Sequence, residues 1–497
     1  MKINAWIRIL VLIIIGFYVK NTQAQQNISQ MVPLSPNAAA ITKYGETPVS
    51  HFTGVPNIGV SIYEIQTQSF NLSISLSYHA GGNTVGNVPS WVGMGWNLNT
   101  IPLITRSVRG IPDEEGFFYK FGGRTNKQIY DLGEGNADHQ QFIKEMALGN
   151  ADSEPDVFFY SLNGKIGKFV YDQETDSFRT LNKDNIRIFR TAENSFILTD
   201  DNGIKYYFSE KEFTTTNQKA VATAWNVAKM VNAQLTDSLI FSYQQHTTTA
   251  ASYRPNYKYV QIGGTASPVE CEQPADNESI SEVISTTINN MIDRIIFKGG
   301  YVRFIVQQGE REDLVGGHAL ESVKVFTNQN VLVKDYKLIY GYLAAGVQGA
   351  GCVINDFYRN NKWLVLTAVA ENAKNGTFQH IHTFEYDDAH IPPCRNSAAQ
   401  DLWGFYNGAM GNKNLIPTFT IPTSTSPIEI VGADRNVNPT YSGFGMLKRI
   451  TYPTGGYTDF EFENNVTSFG FGVDSYITKT AVLLGEPIPS STIYTKT

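Results

Sequence analysis

His380 and His382 head the group of side chains whose types and spacing best suit metal chemistry. They lie at positions i and i+2 of a predicted strand, and the period of two in a strand places both imidazoles on one face. Further potential ligands follow closely: Asp387, Asp388, His390 and Cys394. Two imidazoles and a carboxylate such as Asp387 are a donor set suited to zinc or copper. The pattern offers a metal-dependent hydrolase as one hypothesis, with a solvated strand face before a proline-rich loop as its alternative.

The sequence has none of the common catalytic motifs. It contains no G-x-S-x-G elbow, no Walker A loop, no H-E-x-x-H helix and no C-x-x-C pair. A glycosidase needs two carboxylates about 5–10 Å apart across a cleft. Acids are scattered through the predicted loops without an obvious pair, for example Glu114, Glu115, Glu310 and Glu312. We therefore predict a protein that is not an enzyme and that has no cofactor.

Tryptophans and arginines offer two kinds of binding chemistry. Three tryptophans could stack on sugars in a secreted adhesin or glycan-binding module, or pack in cores and corners: Trp91, Trp96 and Trp403. Arg106 and Arg109 could hold an anion. An arginine that ends a strand more commonly caps a sheet or pairs with a nearby acid, and Asp113 and Glu114 are close in sequence.

Residues 91–99, with the sequence WVGMGWNLN, are the stretch that neighbouring strands must position. Gly93 and Gly95 permit backbone angles or close approaches that a Cβ would block, which suits a sharply bent start of a strand. Trp96 and Leu98 can then face a core, and the chain continues as a strand to Arg106. Upstream, apolar and polar side chains alternate from Phe70 to His79, which is typical of a half-buried strand. The sequence predicts that these strands and the glycine loop between them form one β unit.

This order of motifs resembles the SpvB-type N-terminal domain, which opens the B components of Tc toxin complexes and many Rhs/YD-repeat proteins. The resemblance rests on GMGWNL at residues 93–98 followed by ITR at residues 104–106. The flanks, TGVPNI at residues 53–58 and SVRGIPDE at residues 107–114, are similar to those of secreted YD-repeat proteins of Bacteroidetes. The resemblance implies an N-terminal β domain of that type.

The second half of the chain carries a loose internal repeat of predicted β-hairpins. The clearest copies span residues 293–304 and 448–462, and the latter turns at a loop containing Gly455 and Gly456. Weaker copies span residues 323–340 and 363–386. One hairpin cannot bury its face alone, so such units stack edge to edge. The pattern resembles the YD repeat, whose hairpins coil into a hollow shell in Tc B and C components and in Rhs proteins.

A further motif, QDLWGFYNG, spans residues 400–408 and follows PPCR at residues 392–395. A similar pair occurs in the Bacteroidetes YD-repeat proteins. Its Trp403 and Gly404 complete a predicted structural signature whose other members are Gly93, Gly95, Trp96, Leu98, Arg106, Gly455 and Gly456. The resemblance extends from residue 32 to residue 464. The sequence departs from the family in having no dense YD array, no Rhs core and no C-terminal toxin domain. The enzymatic activities of the family are therefore not implied.

The first residues predict export. Lys2 and Arg8 precede an apolar run from Ile9 to Val19, and TQA at residues 22–24 has the form of a cleavage site. The run is shorter than the roughly 20 residues that span a bilayer. We therefore predict a secreted or cell-surface protein with no transmembrane segment in the mature chain.

Charge and cysteine content narrow the choice of partners. The whole chain has 39 basic and 46 acidic residues, and removal of residues 1–24 takes away three basic residues and no acid. This acidic balance argues against binding to nucleic acid. The three cysteines leave a single disulfide possible, although their odd number is not that of a disulfide framework.

Together these features predict an all-β, mostly antiparallel protein. The predicted organisation is a signal peptide (1–24), a polar lead-in (25–50), an SpvB-like β domain (51–215) with a loop insertion near 122–151, degenerate YD-like hairpins that form part of a curved shell (216–464), and a truncated tail (465–497). A short helix is predicted over residues 140–148. The predicted function is a non-catalytic scaffold that encapsulates or presents a C-terminal cargo, with that cargo or a downstream Rhs/YD-repeat polypeptide as partner. The adhesin, with a cell-surface or glycan ligand, and the metal-dependent hydrolase are the alternatives.

Overall fold

A computed structural model describes residues 55–99, 101–182, 184–216, 219–255, 280–345, 352, 357–373, 377–421, 427–464 and 492–496. All of them belong to one compact unit, residues 48–497. The predicted signal peptide and lead-in lie outside the described residues, as does most of the predicted tail. Antiparallel strands dominate the described chain, which confirms the predicted all-β class.

The strands, in chain order, are β1 (Ile58–Gln66), β2 (Asn71–Tyr78), β3 (Trp96–Asn99), β4 (Leu103–Ser107), β5 (Val157–Leu162), β6 (Lys165–Asp172), β7 (Ser177–Thr180), β8 (Arg187–Arg190), β9 (Phe196–Thr199), β10 (Lys205–Thr216), β11 (Lys219–Val231), β12 (Ser238–Pro255), β13 (Ile280–Phe297), β14 (Gly300–Val306), β15 (Leu320–Thr327), β16 (Leu332–Ala344), β17 (Lys362–Asn372), β18 (Phe378–Tyr386), β19 (Phe419–Ile421), β20 (Ile428–Ile430), β21 (Leu447–Thr451), β22 (Tyr457–Glu463) and β23 (Thr492–Lys496). The helices are α1 (Asn126–Tyr130), α2 (Ala137–Ala147) and α3 (Pro439–Ser442).

A small antiparallel sheet is formed by β1, β2 and β3, in that order. Every second side chain of β2 is buried, from Leu72 to Tyr78, which confirms the predicted period of two. The register sets Tyr78 opposite Trp96. The buried side chains of this sheet join those of the large sheet in one extended cluster, which we call the principal core.

The large sheet is built from hairpins that follow one another along the chain. From β11 to β18 each strand pairs antiparallel with the next, and the series continues from β18 through β21 and β22 to β23. The four predicted hairpins are confirmed as β13–β14, β15–β16, β17–β18 and β21–β22. Local turn signals and the period of two were sufficient to locate them.

Strands β10 to β13 form a closed set, in which β10 pairs with β11, β11 with β12, β12 with β13, and β13 again with β10. This set connects the two halves of the chain. β10–β11 and β12–β13 are long ribbons. At one end β11 pairs with β12, through Lys229 and Ile240. Further along, β10 pairs with β13, and β11 accepts β4 through Trp225 and Ile104. The predicted boundary between residues 215 and 216 falls within the β10–β11 ribbon, so the strands on both sides of it belong to one hydrogen-bonded sheet.

The strand predicted to run from Trp96 to Arg106 is divided between the two sheets. β3 pairs with β2 in the small sheet, whereas β4 pairs with β5 and β11 in the large one. Between them, Pro102 has no N–H to donate to a ladder, and its carbonyl accepts a hydrogen bond from Val227 N–H (3.3 Å). The prediction of one β unit was therefore wrong at this crossing.

The predicted insertion near residues 122–151 contains α1 and α2. Thr125 caps α1, because its side chain accepts from Gln128 N–H while the Gln128 side chain accepts from Thr125 N–H. The helix predicted over residues 140–148 is confirmed as α2, which buries His139 and Phe142.

Candidate functional site

The two glycines of the first motif, residues 91–99, adopt backbone conformations that a side chain would oppose. Gly93 has a φ of +104° and Gly95 a φ of +76°, both in the left-handed region. A Cβ on Gly93 would lie 2.8 Å from the backbone nitrogen of Leu366, and one on Gly95 would lie 2.3 Å from the ring of Tyr78. The motif therefore lies directly against β17 and β2.

Trp96 anchors this motif in the principal core, where it is 1% exposed. Its Nε1–H donates to Tyr386 Oη (2.8 Å), and that hydroxyl donates to the Leu366 carbonyl (2.6 Å). The indole also contacts the rings of Tyr78 and Phe384, with centroid distances of 5.3 and 4.7 Å. These contacts join the first motif to β17 and β18.

A buried ion pair holds the chain just before this motif. Arg311 donates to both carboxylate oxygens of Asp313 (2.8 and 2.7 Å) and to the carbonyls of Pro89 and Ser90 (3.0 and 2.9 Å). Asp313 also accepts from Leu364 N–H (2.9 Å) on β17. The two charged side chains are 2% and 0% exposed. Because the hydrogen bonds of the pair satisfy both charges, it fixes the loop against β17.

The second motif, QDLWGFYNG, folds around Asp401. The Oδ1 atom of Asp401 accepts from the N–H groups of Trp403 (2.8 Å) and Phe405 (3.0 Å). Gly404 has a φ of +92°, and its carbonyl accepts from Val85 N–H (2.9 Å). Val85 precedes the first motif by a few residues, so the two motifs, far apart in sequence, meet in the fold.

Four further residues of the structural signature are either half-buried side chains or glycines of a turn. Leu98 and Trp403 are half-buried. Gly455 has a φ of +85° in the turn between β21 and β22, and the Gly456 carbonyl accepts from Tyr452 N–H (2.7 Å). These signature residues thus have packing or turn roles.

Arg106 lies in a buried cluster of carboxyl groups at the end of β4. Its fully buried side chain contacts Glu114 (2.5 and 3.1 Å) and Asp156 (3.5 Å) and lies over the Trp225 ring at 5.3 Å. The predicted pairing with Glu114 is confirmed. Asp113 contacts Asp156 instead, and the N–H of each donates to the carboxyl group of the other (3.1 and 2.8 Å).

The acids of this cluster titrate unusually. Burial and the neighbouring charge of Asp156 raise the pKa of Asp113 to about 8. Burial also raises the pKa of Asp156 and of Asp152. At Glu114 burial acts in the same direction, but the hydrogen bond and charge of Arg106 outweigh it and lower the pKa. Perturbed carboxyl groups often mark active sites, but Asp113 and Asp156 are 0% exposed and face no open surface.

We expect ionisation of Asp113 to make the protein less stable as the pH rises. Its pKa is about 8 in the folded chain against an ordinary value of 3.8, so the folded state holds the proton more tightly than the unfolded state. The contribution of Asp113 to the free energy of unfolding is full below about pH 4 and is lost by about pH 8. The loss is at most about 1.4 kcal/mol per pH unit.

Asp113→Asn tests this expectation, because the amide keeps an oxygen for Asp156 N–H and cannot ionise. Denaturant titrations across the pH range should show that the variant loses less stability than the unaltered protein as the pH rises from about 4 to about 8. Asp388→Asn, at an exposed position, is the matched control and should follow the unaltered protein. Parallel profiles for Asp113→Asn and the unaltered protein would contradict the assignment.

The predicted metal ligands His380 and His382 lie on β18, but the register shifts between them. They pair with consecutive residues of β17, Ala370 and Val369. The period of two on which the same-face prediction depended is therefore interrupted at this point. Burial lowers the pKa of His382, whose ring stacks near Phe384 at 6.5 Å.

Three of the other four candidate ligands have structural partners, and the fourth, Asp388, is exposed. Asp387 accepts a hydrogen bond from the N–H two residues further on (3.1 Å), and His390 packs edge-on against Tyr441 at 4.8 Å. Cys394 forms a disulfide with Cys352, so its sulfur is not a free thiolate. Within the described ranges, no group of three or more histidine, cysteine or acidic side chains is arranged to hold a metal ion.

The acids considered for glycoside hydrolysis each contact a basic side chain. The pairs are Glu114–Arg106, Glu115–Lys219, Glu310–Arg359 and Glu312–Lys362. Of the tryptophans considered for sugar stacking, Trp96 is buried, Trp91 packs against the principal core and Trp403 is half-buried. Arg109, the second anion-binding candidate, makes an exposed contact with Glu154 (3.4 Å).

Two buried ion pairs of the site were not anticipated from the sequence, Arg106–Asp156 and Arg311–Asp313. Asp156 comes directly before β5, and Arg106 lies on β4, so the pairing of these two strands brings them together. The sequence signal for this pair is an arginine at the end of one strand and an acid at the start of the next strand. For Arg311 and Asp313, the alternating charges within one loop carry no comparable signal.

Comparisons with known proteins do not assign this chain to a family. No family model matches the chain, and no curated protein matches it either. Among the described residues, no helix combines the length and apolar character needed to cross a membrane. The structure thus establishes the all-β class, and the family resemblance rests on the motifs alone.

Proposed function

We propose that this chain is a non-catalytic scaffold, the N-terminal shell part of a secreted Rhs/YD-repeat, Tc-toxin-B-like polypeptide that encloses or presents a C-terminal cargo. The observation that carries the proposal is the series of antiparallel strands from β11 to β18 and on through β21, β22 and β23, in which each strand pairs with the one before it in the series. A sheet of this kind extends by repetition and forms a wall.

The roles of the signature residues support a scaffold. Gly93, Gly95 and Trp96 pack against neighbouring strands, and Gly404 bonds to the chain before the first motif. In the carboxyl cluster around Arg106, Asp113 and Asp156 are 0% exposed, and Arg106 pairs with Glu114. These side chains stabilise junctions between segments, which is what a rigid wall requires.

The disulfide between Cys352 and Cys394 supports the secreted or cell-surface location that the first residues predict. Disulfides persist in oxidising compartments and are rare where thiols are kept reduced.

The test begins with the genomic DNA beyond the Thr497 codon. If it encodes YD repeats and a variable tail, that polypeptide is co-expressed with this chain, and the pair is treated with protease. We expect the two chains to elute together in size-exclusion chromatography and the downstream chain to resist digestion. The downstream chain expressed alone is the control. Equal digestion with and without this chain, or unrelated downstream DNA, would contradict the scaffold function.

A further inference from the structure

A row of apolar side chains crosses nine adjacent strands of the large sheet. Each member is the cross-strand partner of the next, from β8 to β16. The members are Phe189, Ile197, Tyr207, Lys229, Ile240, Ile296, Tyr301, Phe326 and Leu332. We call them the apolar row, in which Lys229 is the single charged member.

The apolar row faces away from the principal core. Side chains alternate between the two faces of a strand, and the residues next to members of the row are the ones that fill the core. These neighbours are 0% exposed: Leu198, Met230, Leu239, Ile295 and Val302. By contrast, exposures within the row reach 63% at Phe189, 47% at Leu332, 44% at Ile240 and 40% at Ile296. The row is therefore solvent-facing.

Basic residues flank the apolar row on both sides. Each of them lies two residues from a member of the row on the same strand, and therefore faces the same way. Arg294, Arg303 and Lys324 border one side of the row on β13 to β15, and Arg187 and Lys205 border the other side on β8 and β10. Two of the five contact an acid, since Arg303 lies 3.9 Å from Asp293 and Lys324 lies 3.3 Å from Asp335. This face is thus locally basic in a chain whose net charge is −7.

The dimensions of the row fit one polypeptide segment. Strands in a sheet are about 4.8 Å apart, so a row across nine strands is about 38 Å long when measured along the sheet, which bends where β10 to β13 close on themselves, while it is only one side chain wide. Apolar stretches of this extent are uncommon on surfaces that stay exposed. A membrane surface would call for a broad apolar face, whereas a narrow row with basic residues on one side of one part and on the other side of another part matches a segment with apolar and acidic sides.

We propose that the apolar row is the docking surface for one acidic amphipathic segment of a partner polypeptide. The apolar side chains of the segment lie along the row, and its carboxylates meet the basic residues on both borders. Complementary charges of this kind set the register and speed association. The docking surface does not depend on the scaffold function, because any partner with such a segment satisfies it.

A fluorescent synthetic peptide with leucines at helical spacing among glutamates is the probe, and fluorescence anisotropy is the measurement. We expect the full chain to bind it, and Ile240→Thr/Ile296→Thr to weaken binding at least about tenfold, because two apolar contacts near the centre of the row are lost. Threonine keeps the β-branched shape that suits a strand. Ile166→Thr on β6, where the native residue is 79% exposed and outside the row, is the matched control and should bind like the unaltered chain.

Added salt should weaken binding, and Lys205→Gln/Arg294→Gln should reduce that salt dependence. Four results would overturn the proposal. They are no binding of the peptide, equal binding of a peptide with the same composition in scrambled order, binding to phosphatidylglycerol vesicles that the double threonine variant abolishes, and self-association of the chain that the same variant abolishes. Thermal melting of each variant separates a lost surface from a lost fold.

Discussion

Gly95→Ala should lower the free energy of unfolding by about 2–5 kcal/mol. The backbone at Gly95 has a φ of +76°, a conformation that costs a residue with a Cβ about 1–2 kcal/mol. The new Cβ would also lie 2.3 Å from the ring of Tyr78. That ring cannot move freely, because it is 4% exposed and its hydroxyl accepts from Leu447 N–H (2.9 Å). Overpacking of this kind adds about 1–3 kcal/mol.

Guanidinium titration of the purified chain measures the loss, and Gly455→Ala supplies the control. Gly455 has a φ of +85°, but a Cβ there would meet nothing within 4 Å. The control should therefore lose only the backbone contribution, about 1–2 kcal/mol. Equal losses for the two variants would show that the contact between Gly95 and Tyr78 contributes nothing.

Arg106→Leu should cost about 3–5 kcal/mol, because it leaves buried acids without their cation. Glu114 and Asp156 lose their direct contact with the guanidinium, and Asp113 loses a favourable nearby charge. The deficit should shrink at acid pH, where protonation removes the unpaired negative charges. Denaturant titrations at neutral and acid pH measure both effects.

Arg109→Leu is the matched control for this variant, three residues further along the chain. Its side chain is 54% exposed and contacts the exposed Glu154 at 3.4 Å, an arrangement worth at most about 1 kcal/mol. If Arg106→Leu were no more destabilising than Arg109→Leu, or if its deficit did not change with pH, the ion pairs around Arg106 would not contribute to stability.

The sequence predicted those features that depend on neighbours in the chain. Alternation in β2 located a half-buried strand, and turn residues located the hairpins of the second half. The pairing of Arg106 with Glu114 was also foreseeable, because only eight positions separate them. In each case the interaction and its signal lie within one short stretch.

Features that depend on distant pairing were not foreseeable in the same way. The chain crosses between sheets at Pro102, and only the pairing of β4 with β11 shows where it goes. The register shift between His380 and His382 likewise belongs to the pairing of β17 with β18. The sequence gives only a weak signal for the apolar row. The signal is two adjacent apolar residues in one strand, such as Ile295 and Ile296, where a strand with one buried face would have an apolar residue followed by a polar one.

The contacts between the early part of the chain and its later segments also determine the order in which parts of the protein fold. Trp96 bonds to a side chain 290 positions away, and Asn83 bonds to a carbonyl 361 positions away. Contacts between such remote positions form slowly, because the intervening chain must close into a loop first. The apolar face of the small sheet therefore stays exposed until β17 and β18 have been synthesised and have packed against it. During that interval the early strands are most open to aggregation, chaperones and proteases, although their apolar side chains are buried in the finished molecule.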